Sequence, residues 1–409
     1  MRLKVSKPIS VLYFHHSGYY GGASRSLLEM IEAFPDKEVE PFLLTQTGRV
    51  GEIFRERGID VIETVGISQF DHTRYGHYRS FRWLILLREI FYFPFTVSAI
   101  IKARLKWKNI EIIHINEVTN IPSIILVKLF FKCPIFIHVR SVQQNEDCSY
   151  RKKLVTWILG LAKKVIAIDI RVKNSLPIEQ EVDIIRNGLN KINNNKTAKY
   201  YLKGNFKKEV MTIAFIGSLT KMKGIYELLE AAKLCAERKI KVKILIEGKK
   251  PKKALGVKSY IFCKLNYTSN VSDFCEDFIT KNSLENFIDF YGFTLEIEGV
   301  FNNADVVCFP SHLNAVGRPV IEAALHKLPS IVAIDDEEDD LFFHKKTGLR
   351  IKEKSAESLF HAINYFYMHP QEIKRMGDNA YKLAQTKFDI KLNSKKMLAL
   401  YKENLGNNK

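Results

Sequence analysis

Cysteine is sparse and unpaired in this chain: Cys133, Cys148, Cys235, Cys263, Cys275 and Cys308 stand far apart, with no C-x-x-C among them. That excludes a disulfide-stapled secreted domain, a zinc ribbon and a thioredoxin-type motif, and it predicts a reduced, cytoplasmic home. Proline and glycine are also few, 12 and 21 in 409 residues, which excludes collagen-like and Pro/Gly-rich disordered chains. Acidic residues are outnumbered, 45 against 63 Lys and Arg, leaving a net charge of +18. An excess of that size favours phosphate-rich partners such as nucleic acid, anionic lipid or nucleotide-linked substrates. No clean membrane span is present, because the most apolar window, Trp83 to Ile101, contains Arg88, Glu89 and Pro94. The N-terminal apolar run stops at His15-His16, too short for a signal peptide, and reads as a first strand. No zinc spacing, G-x-S-x-G elbow or G-x(4)-G-K-[ST] loop occurs.

What is present is a globular composition, 46% hydrophobic, in a chain long enough for two or three domains of about 150 residues. Short β-branched runs alternate with helical patterns: ISVLYF then SRSLLEMIEAF, IEIIHI then IPSIILVKLFF, PIFIHV then YRKKLVTWILGLA. This rhythm predicts βαβ units around a parallel sheet. It fails between Asn187 and Lys208, a polar Asn/Lys-rich stretch read as a linker, and resumes at MTIAFIG. The fold class expected is α/β, two doubly wound domains facing across a cleft, closed by C-terminal helices over Ser355 to Tyr367, Gln371 to Phe388 and Ile390 to Tyr401. Ligands of such sheets bind beyond the carboxyl ends of the strands. The Trp83 window, flanked by Arg79, Arg82, Lys102, Arg104, Lys106 and Lys108, reads either as a buried helix with a polar stripe or as an amphipathic segment on an anionic membrane surface.

Three segments carry chemistry. After the first strand, Gly18, Gly21 and Gly22 let backbone approach a ligand, and the helix that follows offers its N–H groups to an anion. In FIGSLTKMKG, Gly217 ends a strand and Lys221 and Lys223 precede a helix near Gly224, where an ammonium neutralises phosphate as a point charge. In ADVVCFPSHLNAVGRPVIEA, a buried strand leads through Gly317 and Arg318 to a helix with Pro319 at its start and Glu322 near its N-terminus. Helix capping alone is the lesser reading of Glu322.

Taken together, these segments resemble the nucleotide-sugar-dependent glycosyltransferases of family 4, which adopt the GT-B fold of two Rossmann-like domains. GSLTKMKG resembles the family's G-R-L-x(n)-K-G, YGF its F/Y-L/T-G segment, and ADVVCFPS with GRPVIEA its E-x(7)-E block; IHVR, IIRNG and KKTGLRI add further matches. The resemblance implies an acceptor-binding domain over 1–190, a linker over 191–208, a donor-binding domain over 209–385, and a helix over 386–409 packing back on the first domain. It implies that Lys223 contacts the donor diphosphate and Glu322 the ribose, that Gly21 and Gly22 lie against phosphate or acceptor, and that His138 stands near the transferred sugar with Arg140 beside it. Gly217, Ser218, Gly292, Gly317 and Arg318 complete the implied donor site, and Asn314 stands with His138 and Lys223 among the implied catalytic positions.

Two positions depart from the pattern. Asn314 replaces the first glutamate of E-x(7)-E, and Ser218 replaces the arginine that shares the diphosphate, with Arg140 or Arg318 as candidates to compensate. Asparagine keeps hydrogen-bonding capacity but no charge. The loop E-G-K-K-P departs as well, replacing the family's G-x-G-P.

The function implied is a retaining glycosyltransferase, without metal or other cofactor, moving a sugar from a nucleoside diphosphate donor to a hydroxyl of a growing, polyprenyl-linked cell-surface glycan. It would act in the cytoplasm with peripheral contact to the inner membrane face. The alternative is a non-catalytic glycosyltransferase-like binding subunit. Nucleic acid is not an expected partner, since no recognition-helix or aromatic sheet motif accompanies the charge. The acidic run Asp335 to Asp340 reads as a helix cap rather than a metal site, the cluster at Gly248 to Lys253 as a solvated loop, and His15, His16, His114 and His312 as polar residues at strand ends.

Overall fold

The computed structural model describes residues 7–35, 38–144, 150–178, 181–189, 210–248, 271–292, 297–335 and 341–406. The linker at 191–208, the basic run at 249–253, the acidic run at 336–340, Cys148 and Cys263 lie outside the described residues. The chain divides into two compact units, Met1–Asn190 with Phe388–Lys409, and Lys191–Lys387.

The first unit is built on seven parallel strands: β1 (Ile9–His15), β2 (Val39–Gln46), β3 (Asp60–Thr64), β4 (Ile112–Ile115), β5 (Ile135–Val139), β6 (Lys164–Ala167) and β7 (Val182–Ile184), in the order β3-β2-β1-β4-β5-β6-β7. Every residue of β1 is buried. With side chains alternating along a strand, Leu12 and Phe14 join one apolar layer and Val11 and Tyr13 the other. A strand buried on both faces is apolar almost throughout, which is why ISVLYF shows no regular polar alternation; its one polar residue, Ser10, donates its hydroxyl to Glu40 at 2.9 Å.

The helix Ile390–Gly406 belongs to this unit. Its Ile390, Met397, Leu398 and Tyr401 sit in the layer holding Val11 and Tyr13. Tyr401 Oη lies 2.6 Å from Nδ1 of His114, and the Leu189 N–H donates to the Phe388 carbonyl at 2.8 Å. A Cβ on Gly188 would fall 2.4 Å from the Ile390 Cα, so a side chain there would displace the returning chain.

The second unit holds six parallel strands: β8 (Met211–Ile216), β9 (Val242–Glu247), β10 (Ile288–Gly292), β11 (Val306–Phe309), β12 (Ser330–Ala333) and β13 (Gly348–Ile351), ordered β10-β9-β8-β11-β12-β13. Ile213 and Phe215 face one layer, Ala214 and Ile216 the other. The helices Ile225–Glu237 and Ala356–Met368 pack together, as do Arg318–Leu325 and Pro370–Lys387. In both sheets the first strand lies inside and the order reverses beside it, between β1 and β4 and between β8 and β11, which is where doubly wound sheets leave a crevice for ligand.

The apolar window of the first unit is not a buried helix with a polar stripe. A short 3-10 turn, Ser80–Leu84, leads into the helix Ile85–Lys106, whose buried residues are Glu89, Thr96, Ala99, Ile100 and Ala103. The polar Glu89 and Thr96 and the small Ala99 and Ala103 point inward beside Ile100, and only 22% of the apolar window is buried. Inward polarity is stabilised by hydrogen bonds to the preceding loop: the Gln69 N–H donates to Glu89 at 2.8 Å and the Ser68 N–H to Thr96 Oγ1 at 2.8 Å.

Candidate active site

At the reversal point of the second sheet, β8 ends in Gly217, with φ of 153°. Ser218 follows, exposed. A 3-10 turn, Lys221–Lys223, then delivers the chain to Gly224, in the left-handed region at φ 77°, and into the helix Ile225–Glu237. A Cβ on Gly224 would stand 2.0 Å from the Pro310 carbonyl oxygen, so glycine is required both by conformation and by space.

That turn is tied to the loop beyond β11. The His312 N–H donates to the Met222 carbonyl at 3.0 Å, Ser311 Oγ donates to the same carbonyl at 3.1 Å, and His312 Nε2 meets Glu227 at 3.0 Å. The ties place Lys223, half-buried, with its Nζ 5.2 Å from the centre of the Phe309 ring. Burial lowers its ammonium pKa below the ordinary lysine value. The Phe309 ring also fixes Gly317, where a Cβ would lie 2.2 Å from it.

Gly317 caps the helix Arg318–Leu325. Arg318 Nε donates to Glu322 at 2.8 Å, and Glu322 is 7% exposed. Its carboxylate is thus paired one turn inside the helix, not capping the N-terminus. Asn314 adopts φ 44°, a conformation asparagine tolerates, and its Oδ1 accepts the Asp335 N–H at 2.9 Å. Gly292 ends β10 at φ 74°; its carbonyl accepts the Gly248 N–H at 3.1 Å. A Cβ on Gly248 would in turn meet the Gly217 carbonyl at 2.0 Å. The second unit therefore brings Lys223 and Gly317 to Phe309, pairs Arg318 with Glu322 on the helix that Gly317 caps, and sets Gly217 and Gly292 at the adjoining strand ends.

The first unit has its own constellation at the β1/β4 reversal. Asn116 Nδ2 lies 2.9 Å from His15 Nδ1, Asn116 Oδ1 accepts from Arg140 Nε, and a guanidinium nitrogen of Arg140 also donates to Asn187. Glu117, at φ 143°, is buried. It accepts from the Val118 N–H (2.8 Å), the Arg140 N–H (3.2 Å) and Ser141 Oγ (2.8 Å). Burial nevertheless pushes its carboxyl up to about 7, against those hydrogen bonds and Arg140, which pull it down. His138 on β5 is buried beside the His114 ring, 5.4 Å between centres. Burial, with Arg140 and His114 next to it, holds its pKa well below the usual imidazole range, so it is neutral near pH 7. A narrow crevice brings His138 and Arg140 together with Ser26, Ile185 and Asn187.

The glycines after β1 fall into two kinds. A Cβ on Gly18 would meet the Thr47 carbonyl at 2.3 Å, so that glycine serves a close backbone crossing. At Gly22 a Cβ meets nothing within 4 Å, and at Gly21 only the Tyr19 ring. Sequence reasoning passed over Asn116, Glu117, Asn187 and Phe309. The first two had a signal: a polar pair directly after the wholly buried strand IIHI, at the end of a parallel strand. Among the described residues no group of three His, Cys, Asp or Glu is placed to hold a metal ion.

The Glu117 carboxyl gives a pH test. Its pKa lies near 7 folded and near 4.5 unfolded, so the folded chain binds more protons between those values. Its contribution to stability is present in full below about pH 4.5 and is lost as pH rises through about 7, a change on the order of 3 kcal/mol. The difference in unfolding free energy between wild type and Glu117→Gln should fall as pH is raised from 5 to 7.5; a pH-independent difference would refute the assignment.

Both sheets, with their strand order and helices, form the GT-B fold. Solved structures that share it include three of different origin. Anabaena HepE in complex with UDP-glucose has 18% identity and a TM-score of 0.70, covering 97% of this chain and 100% of that one. Sucrose-phosphate synthase from Thermosynechococcus elongatus has 16% identity and a TM-score of 0.73, covering 98% and 100%. Staphylococcus aureus TarM, in complex with Fondaparinux, alpha-GlcNAc-glycerol and UDP, has 12% identity and a TM-score of 0.68, covering 96% and 99%. Residues 199–383, most of the second unit, match the family of glycosyl transferases group 1. Among curated proteins, the capsular polysaccharide biosynthesis glycosyltransferase CapM of Staphylococcus aureus is 22% identical over 257 residues, 62% of this chain and 59% of CapM. The chain thus matches less than two thirds of that relative's length.

Proposed function

We propose that the chain is a retaining glycosyltransferase of family 4 that transfers a sugar from a nucleoside diphosphate sugar to a hydroxyl of a growing, lipid-linked cell-surface glycan on the cytoplasmic side of the membrane. The observation that carries this reading is Lys223. It is a half-buried cation at the reversal point of the second sheet, held on Phe309 and within the segment that matches the group 1 family. The CapM match favours a polysaccharide acceptor.

In this mechanism the bond between the anomeric carbon and the donor phosphate breaks, and the acceptor oxygen bonds to the same face. The acceptor proton passes to the departing diphosphate. The chain's task is to stabilise that leaving group and orient the reactants. Lys223 supplies positive charge in a partly dehydrated place, where it acts more strongly than in water. Gly217, Ser218 and Gly292 offer backbone and a hydroxyl to the donor, Gly317 and Arg318 the start of a helix, and Glu322 a carboxylate for ribose hydroxyls. Asn314 offers hydrogen bonds to the sugar without charge. In the first unit, neutral His138 with Arg140 and the open Gly21-Gly22 turn receive the acceptor or the transferred sugar. No metal or other cofactor enters this scheme, and nucleic acid is not a partner in it.

The second reading, a glycan-binding subunit without catalysis, draws on Ser218 and Asn314, uncharged where the resemblance implies charge. Proton NMR of the product distinguishes the readings. An α-linked donor should give an α-linked product with one nucleoside diphosphate released per bond. A β-linked product would overturn retention, and no turnover with any donor that binds would favour the subunit.

A further inference from the structure

We infer that the outward face of the helix Ile85–Lys106 is a docking surface for an anionic lipid bilayer, into whose interface it inserts without crossing. The helix is inside out relative to an ordinary core helix. Leu84, Leu87, Phe91, Ile101 and Leu105 recur at spacings that place them on one face, and Leu84, Leu87, Phe91 and Leu105 are 62%, 65%, 59% and 68% exposed. Apolar exposure of this extent on a single element marks an interaction surface.

The neighbouring helices extend the surface. Ile121–Phe130 packs on this helix and Tyr150–Gly160 packs on Ile121–Phe130. They present Leu129 and Trp157, both exposed. Charge selects the occupant. Residues 79–108 contain seven Lys or Arg and one acidic residue, Glu89, which is buried and held by Arg88 and the Gln69 N–H. Exposed Lys102, Lys108, Lys128 and Lys132 lie on or beside the apolar helices. Apolar side chains bordered by cations match the acyl boundary and the phosphate headgroups of an anionic leaflet. A second copy of the chain fits less well. Its seam would be interrupted at Pro94 and Ser98, and a symmetric pair would oppose like charges. Spanning is excluded by the inner face, where Glu89 and Thr96 bind the loop at Ser68 and Gln69.

The inference is independent of the sugar-transfer reading, because vesicle binding needs no sugar nucleotide. The test is flotation of the full chain at low salt with vesicles of phosphatidylcholine alone or mixed with equal parts of phosphatidylglycerol. Wild type should float with the mixed vesicles, release as salt is raised, and stay down with phosphatidylcholine. The pair Leu87→Glu and Phe91→Glu should lower the partition coefficient at least tenfold with the thermal midpoint unchanged. The pair Lys102→Glu and Lys108→Glu should weaken binding to the mixed vesicles only. In wild type, brominated lipid should quench the tryptophan emission, because Trp83 and Trp157 are both exposed on this surface. This readout needs no mutation. Wild type remaining unfloated at low salt, or Leu87→Glu with Phe91→Glu floating as wild type does, would overturn the inference. So would a wild-type dimer that this pair dissociates without any change in flotation.

Discussion

Replacing Lys223 with alanine is expected to lower kcat/KM for the donor by about a hundred- to a thousandfold, the loss typical when one group stabilising a developing anion is removed. The chain should remain folded. Lys223 makes no ion pair among the described contacts, and its ammonium is held partly out of water against the Phe309 ring, so deleting it relieves a desolvation penalty while removing a cation–π contact. Stability should therefore change little. Lys223→Arg should restore only part of the activity, because a planar fork does not reproduce a point charge over that ring. Steady-state rates with the cognate donor, read alongside thermal midpoints, check this. A variant within threefold of wild type would remove Lys223 from the mechanism.

Gly224→Ala is expected to be the most damaging single-methyl change in the second unit. Alanine at φ 77° is strained by roughly 1–2 kcal/mol. The added carbon would also stand 2.0 Å from the Pro310 oxygen, which is main chain and cannot rotate away. Relief must come from moving the 221–224 turn or the loop after β11, and either motion breaks the hydrogen bonds of Met222 with Ser311 and His312. The combined loss should exceed about 3 kcal/mol. The midpoint should fall by about 10 °C. Donor binding should weaken in parallel, since the same turn positions Lys223. Gly22→Ala is the control: it adds a carbon to open space, and its midpoint should match wild type. Equal midpoints for Gly224→Ala and Gly22→Ala would show that the turn is not held as described.

These residues also show what was legible in the sequence. Strands buried on both faces produce nearly continuous apolar runs enriched in β-branched and aromatic residues, so ISVLYF, MTIAFI and VVCF were readable as strands without any partner in view. The positions of Gly217, Lys223 and Gly317 were readable because each sits at a strand end or just before a helix, where local chemistry is constrained; Glu322 lies a turn further in, paired with Arg318. What stayed hidden depends on distant residues. Nothing local distinguishes Gly18, required by Thr47, from Gly22, which faces open space. Arg140 is joined to Asn116 and Asn187 only by three strands meeting at one edge. The helix after Trp83 misled for a related reason. Periodicity reports that a helix has two unlike faces, but which face turns inward is decided by Ser68 and Gln69, and they bind Thr96 and Glu89.

The measurement that bears most directly on the whole account is calorimetric titration of the intact protein with UDP, GDP, ADP and CMP, repeated with Lys223→Ala. A nucleotide that binds the folded state alone must also raise the unfolding midpoint. One nucleotide should bind saturably with a matching rise in midpoint, and Lys223→Ala should bind that nucleotide at least tenfold more weakly. Absence of binding by all four, in a protein that unfolds cooperatively, would contradict the proposed function.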